Sequence, residues 1–139
     1  MFLPPPLLDV ALPAEQSAPR LARRELRKML EDVAPAEFTD DALLLTSEIV
    51  SNATVIGGPC RLSAWYLPDD GALRVEVHDE SPVVPVMSAA RTPDQVSGRG
   101  LRIVDSIASR WGIDRDEIGK SVWFEMYIKG ALRTTAITG

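Results

Sequence analysis

The chain has 139 residues, 45% of them hydrophobic and 25% charged, and a formal net charge of −5. These values predict one globular domain with a sizeable core and argue against a general role on nucleic acid or an anionic membrane. A single cysteine excludes an intrachain disulfide, and Cys60 with His78 is too small a set for a Cys/His zinc site.

No run approaches the ~20 apolar residues of a membrane span. The first residues, Met1-Phe2-Leu3-Pro4-Pro5-Pro6, carry no basic residue before their short apolar stretch, so they do not read as a secretory signal. The cytoplasm is the expected compartment. Residues 1–6 are expected to form an extended N-terminal segment, residues 7–130 the domain, and residues 131–139 a tail.

In chain order, Leu7 to Leu12 predicts a first strand, placed at an edge by its flanking prolines. Ser17 is positioned to cap a helix running to about Val33, with Ala18, Leu21, Ala22, Leu26, Met29, Leu30 and Val33 as its apolar stripe. Arg20, Arg23, Arg24, Arg27 and Lys28 make the remaining face basic, either a solvated face or a contact for an acidic partner. Pro35 breaks the chain. Thr39 is then read as the cap of a second helix, with Asp40 and Asp41 in its first turn, stopping at Gly57-Gly58-Pro59. Strands Cys60 to Leu67 and Ala72 to Asp79 flank Pro68-Asp69-Asp70-Gly71 and predict a β-hairpin. Ser81 to Val96 reads as a long loop. A helix over about Gly100 to Arg110 precedes a last hairpin, Trp111 to Asp116 and Ser121 to Ile128. There Val122, Phe124, Met126 and Ile128 are expected to face the core. This order predicts an α+β fold: a two-layer α/β sandwich, mostly antiparallel, with the helices on one face of the sheet.

Three places carry candidate chemistry. Strict alternation in Leu73-Arg74-Val75-Glu76-Val77-His78-Asp79 puts Leu73, Val75, Val77 and Asp79 on one face, so an apolar face ends in an acid. Such an acid is costly unless something hydrogen-bonds it. It can read a base, or simply form a turn with Ser81. On the second helix, Glu48 and Asn52 stack at i and i+4 beside Leu45, Ile49 and Ile56. They suit a general base and a neutral oxygen ligand for magnesium, or else a surface pair beside the core. Ser97-Gly98-Arg99-Gly100-Leu101 opens the third helix. Free backbone N–H groups there suit an anion, and Arg99 can add a charge-assisted contact to phosphate.

Together these segments resemble a known family. Glu48-Ile49-Val50-Ser51-Asn52-Ala53 is similar to the N-box of the GHKL ATPase/kinase superfamily, which includes histidine kinases, gyrase and Hsp90. Val77-His78-Asp79-Glu80-Ser81-Pro82 resembles its first glycine box in reduced form, and Ser97-Gly98-Arg99-Gly100-Leu101 its second. Gly119-Lys120-Ser121-Val122-Trp123-Phe124 resembles the strand that closes the pocket. The order fits over about residues 8–129 and is most similar to the small stand-alone branch of anti-sigma factor serine/threonine kinases and related actinobacterial ATP-binding regulators.

The resemblance implies ATP and Mg²⁺ as cofactors. It implies Asp79 as acceptor for the adenine amino group, with Ser81 beside it, and Asn52 as holder of Mg²⁺. Glu48 would orient or deprotonate the attacking group. Gly98, Arg99, Gly100 and Leu101 would hold the phosphates, and Ser121 would place a hydroxyl under the adenine. The implied partners are a sigma factor, an anti-anti-sigma antagonist protein, or both, with the chain acting as a homodimer through its first strand and helix. Four positions depart from the family pattern: Ser81 and Val83 replace glycines, while Ile56 and Val96 stand where a His and a basic residue are frequent. The two function classes that follow are an ATP-dependent protein kinase acting on a Ser or Thr of an antagonist, and a non-catalytic, nucleotide-gated protein-binding module. A histidine-kinase catalytic fragment acting in trans is a third reading; His78, on a short strand inside the domain, is a poor phosphoacceptor.

Overall fold

The structure is a computed structural model and describes residues 3–56, 58–67, 71–80 and 96–127. Its elements are β1 (Leu8–Leu12), α1 (Ala18–Leu30), α2 (Ala36–Ile56), β2 (Cys60–Leu67), β3 (Ala72–Asp79), α3 (Val96–Ile107), β4 (Arg110–Arg115) and β5 (Lys120–Tyr127). The five strands form one sheet in the order β1-β2-β3-β5-β4, every pairing antiparallel. The expected α+β fold, a two-layer sandwich with helices on one face, is the fold observed.

Alternation builds the core. Leu62 and Ala64 of β2, Leu73, Val75 and Val77 of β3, and Val122, Phe124 and Met126 of β5 point to the helical layer and are buried. Helix α1 meets them with Ala18, Ala22, Leu26 and Leu30, a strict i, i+4 row, all fully buried. Tyr66 Oη donates to the Met29 carbonyl oxygen at 3.2 Å, and Arg23 donates to Ser47 Oγ at 2.5 Å. The first bond ties α1 to β2 and the second ties it to α2. Gly71, at φ +63°, supplies the left-handed residue of the β2–β3 connection.

Element boundaries differ from expectation in three places. Helix α1 ends at Leu30, so Val33 is 42% exposed rather than part of the stripe. Helix α2 begins at Ala36, three residues before the expected cap: Thr39 N–H bonds the Pro35 carbonyl at 3.0 Å and is already helical. Proline fixes its own φ and leaves the next residue free to start the helix, so the break and the first turn adjoin. Helix α3 begins at Val96, and therefore Gly98 and Gly100 sit within its first turns, not ahead of it. The loop 81–95, Ile128 and the tail 131–139 lie outside the described residues.

Among the described residues the sheet's other face carries no helix, yet it is not simply solvated. Arg74 is 6% exposed and Glu125 1%. Arg74 Nη1 donates to Glu125 Oε2 at 2.6 Å and Arg74 Nε to Glu76 Oε2 at 2.8 Å. The Arg74 guanidinium also lies 4.1 Å from the centroid of the Trp123 ring, and Arg110 lies 5.9 Å from it. Further along, Trp65 Nε1 donates to the Pro4 carbonyl at 2.7 Å, and Leu3 packs on Trp65, Leu67 and Ala72. Leu3 and Pro4, in the segment expected to be extended, thus lie against this face.

Gly112 on β4 is what lets the Trp123 indole lie across its neighbour strand. A Cβ at that position would come within 2.8 Å of Trp123 Cζ2. Gly112→Ala is expected to destabilise the domain by about 1–3 kcal/mol, the usual range for overpacking. The measurement is urea unfolding followed by tryptophan fluorescence; an unchanged midpoint would show that the ring has room to move.

Candidate nucleotide site

The topology gathers the candidate residues at one end of the sheet. Asp79 ends β3, and its cross-strand partners are Cys60, which begins β2, and Lys120, which begins β5. Only residues 57–59 separate α2 from Cys60, so the last turns of α2, with Asn52, reach the same end. Helix α2 packs on β2 and β3, and α3 packs on α2. Helix α3 is followed closely by β4, whose first residue Arg110 pairs with Glu125 at the opposite end of the sheet. At about 1.5 Å per residue its 12 residues are about 18 Å long.

Asp79 is 2% exposed and holds the position that alternation assigned to it. Its Oδ1 accepts from Lys120 Nζ at 2.7 Å, and the side chains of the pair are 1% and 2% exposed. An acid at the rim of a core needs a partner, and this cation is one. Such a buried pair is costly to desolvate and costlier to break from one side. Cys60, 5% exposed, stands on the other flank of Asp79. Its thiol is pushed up to about 11, first by burial and second by the negative charge of Asp79.

The turn between β4 and β5 is fastened against this end. A Cβ on Gly119 would collide with the Asp79 carbonyl oxygen and would sit 2.6 Å from Glu80 Cα, so only glycine allows the approach. Asp116 Oδ1 accepts from the backbone N–H groups of Ile118 and Gly119 at 2.9 and 2.6 Å. Asp116 Oδ2 lies 2.9 Å from His78 Nε2. These backbone donors, the Gly119 N–H foremost, hold the Asp116 carboxyl below the usual carboxylate range, with the His78 contact helping.

On α2, Asn52 is 3% exposed, and neither its amide oxygen nor its amide nitrogen has a hydrogen-bond partner among the described residues. Buried amides are normally satisfied, so an orphaned one points to a ligand. Thr46 Oγ1, fully buried on the same helix, is orphaned too. Glu48, one turn before Asn52, is only partly buried and can meet solvent or a substrate. A magnesium ion fits Asn52 as a single neutral oxygen donor. No cluster of three His, Cys, Asp or Glu exists among the described residues, so further ligands would come from phosphates and water.

Other predicted site residues fall differently. Gly98, Arg99, Gly100 and Leu101 all lie within α3, whose first turn leaves backbone N–H groups without helical partners. Ser81 lies outside the described residues. Ser121 pairs with His78, on the face away from the helices. Strand alternation turns its hydroxyl from Asp79, and Lys120 takes the position expected of it. The sequence reading passed over Lys120. The signal available was its register, since Lys120 directly precedes the core-facing series Val122, Phe124 and Met126 by a period of two.

A family model described as "Histidine kinase-like ATPase domain" matches residues 12–126. Among solved structures, the chain is similar to "the RsbU and RsbW domains of Rv1364c from Mycobacterium tuberculosis", with a TM-score of 0.68 at 23% identity. That match covers 90% of this chain and 32% of the other, so the chain spans about a third of that structure. No curated protein matches the chain. No helix among the described residues is long and apolar enough to cross a membrane.

Two outcomes test the geometry. Lys120→Met removes one side of a buried ion pair and is expected to destabilise the domain, by up to about 3–5 kcal/mol, read by chemical denaturation. Cys60 is expected to resist iodoacetamide at pH 8 in the folded protein and to react once the protein is denatured, because the nucleophile is the thiolate. Its folded value lies above the ordinary 9.0, so the unfolded chain releases this proton first and stability falls as pH rises above 9. Equal labelling rates in folded and unfolded protein would contradict the placement of Cys60.

Proposed function

The chain belongs to the histidine kinase-like ATPase family, and from that premise we propose that it binds Mg-ATP at the Asp79 end of the sheet and acts as an anti-sigma-type regulator. The observation that carries the reading is the buried Asn52 amide with no partner, on the helix that packs against the strand ending in Asp79. In this reading Asp79 accepts from the adenine 6-amino group. The first turn of α3 offers its backbone N–H groups to the phosphates, and Arg99 adds charge. Asn52 Oδ1 serves as one ligand of magnesium, which when bound neutralises charge developing on the transferring phosphoryl group.

Glu48 is the residue proposed to accept a proton from the attacking hydroxyl. The γ-phosphoryl group would pass in line from ATP to a Ser or Thr of an antagonist protein, leaving ADP. A sigma factor is the other proposed partner, and a homodimer the proposed assembly. The likeness to a structure containing an RsbW domain supports the regulatory reading at the level of fold.

A second reading has its own support. Ile56 and Val96 replace the His and the basic residue frequent near the γ-phosphate in related kinases. Transfer depends on stabilising charge there. On this reading the site binds nucleotide and gates partner contacts without transferring phosphate.

Calorimetric titration with Mg-ATP tests binding, and Asp79→Ala is expected to abolish it; affinity unchanged in that variant would remove the pocket assignment. Incubation with labelled ATP and a purified candidate antagonist tests transfer. Glu48→Ala is expected to keep ATP binding while lowering transfer at least ~100-fold, the usual worth of a general base. Wild type and Glu48→Ala behaving alike, with no label transferred, would leave the gating module as the function.

A further inference from the structure

We infer that the outer face of α1 and α2 is the surface through which two copies of this chain associate, α1 of each lying against α2 of the other. The inference rests on the homodimer proposed above and names its contact surface; it does not depend on the nucleotide reading.

Charge on this face is sorted by helix. Arg20, Arg24, Arg27 and Lys28 are exposed along α1, in a chain whose net charge is −5. Glu37, Asp40 and Asp41 are exposed at the start of α2, and Glu31 and Asp32 in the turn that leads to it. Only residues 31–35 separate the helices, and Arg23 of α1 donates to Ser47 of α2, so the two run side by side in opposite directions. The cations at the end of α1 and the acids at the start of α2 therefore share one end of the face. They do not satisfy one another. The acid that pairs with Arg24 and Lys28 is Glu25, on α1 itself. Arg20, Arg27, Glu37, Asp40 and Asp41 form no ion pair with a described residue.

This arrangement selects its occupant. A uniformly acidic partner is repelled by α2, and a uniformly basic one by α1. A second copy, turned by half a rotation about an axis along the groove between the helices, sets each α1 over the other copy's α2. Both contacts are then attractive, and one patch serves both copies, as a two-fold interface requires. Leu44, 41% exposed and within one turn of Asp40 and Asp41, adds an apolar contact among the charges. The candidate nucleotide site stays clear of this face. Ser47 marks the side of α2 that meets α1, and Asn52 is five positions on, roughly 140° round the helix.

The test is sedimentation equilibrium on the full chain. One variant reverses α1 (Arg24→Glu/Arg27→Glu), a second reverses α2 (Asp40→Arg/Asp41→Arg), and a third carries all four changes and so keeps the wild-type net charge. The substituted side chains are exposed, and circular dichroism checks that each variant folds. Wild type is expected to dimerise, with a Kd that rises at least about tenfold between about 0.05 and 0.5 M salt. Each single-helix reversal is expected to raise the Kd at least about 100-fold, because like charges then face each other in both contacts. The four-fold variant is expected to return to within about tenfold of wild type, since exchanging the two signs restores both attractions. Dimers that persist in both single-helix reversals would place the interface elsewhere on the molecule. A folded four-fold variant that stays monomeric would show that α1 does not meet α2 across the two-fold axis. Wild type that is monomeric at every concentration would remove the proposed homodimer and leave this face to a different protein; that failure is told apart by appearing before any substitution.

Discussion

The buried pair of Asp79 and Lys120 is the constraint around which this end of the molecule is arranged. Two charges out of water attract strongly but are costly to desolvate, and the balance is favourable only with good geometry. Here the geometry is set by the ladder, since the two residues are direct cross-strand partners on the face that meets the helices. Gly119 has to be a glycine for β5 to start that close to the end of β3. Asp116 spends its carboxylate on the turn's own N–H groups and on His78, which pins the turn from the opposite face. A cation delivered to the rim of the core therefore follows from hairpin geometry as much as from the lysine.

The open face of the sheet provides the stiffness that such placement needs. Arg74 and Glu125 are charged residues buried where no helix of the described residues covers them, and they are buried by one another and by Trp123. Each face of the pair β3–β5 thus holds its own ion pair, Arg74–Glu125 outside and Asp79–Lys120 inside. Register slip by one residue would exchange the faces and break both pairs at once. That shared penalty fixes the β3–β5 register far more firmly than alternating apolar residues alone. The candidate site inherits this precision, because Asp79 lies at the end of the same ladder.

Periodic features were legible in the sequence, and features created by pairing were not. Alternation placed Asp79 on the apolar face, and the helical repeat of Ala18, Ala22, Leu26 and Leu30 located α1. Both are local properties that one strand or one helix shows by itself. The partner of Asp79 is 41 residues away and becomes visible only once two strands are aligned. Arg74 reads as a solvated outer residue until Trp123 and Glu125 arrive from another strand. The face that Ser121 takes was hidden for the same reason: a resemblance locates a motif to within a residue, and one residue is a change of face. Helix starts were the remaining misses. Ala36 and Val96 lie before the cap and glycine signals because α2 starts directly after Pro35 and α3 takes its two glycines into its first turns.

Binding and transfer make separate demands on this architecture, and the chain meets them unequally. Base reading needs a rigid acceptor in a dry place, and Asp79 has burial, an ion pair and a fastened hairpin behind it. Metal holding needs a neutral oxygen already stripped of competing partners, and the orphaned Asn52 amide is in that condition. Transfer needs more: a base able to take a proton and positive charge where the γ-phosphoryl group moves. Glu48 is partly buried at the edge of α2, placed to meet a substrate that comes from outside. The positive charge is the thinner provision, since Ile56 and Val96 bring none. On the proposed ATP-binding reading, the base end of the site is well furnished and the phosphate end sparingly, which would make nucleotide occupancy the natural variable for a regulator to read. Phosphorylation, where it occurs, would then depend on what the protein partner adds to the site.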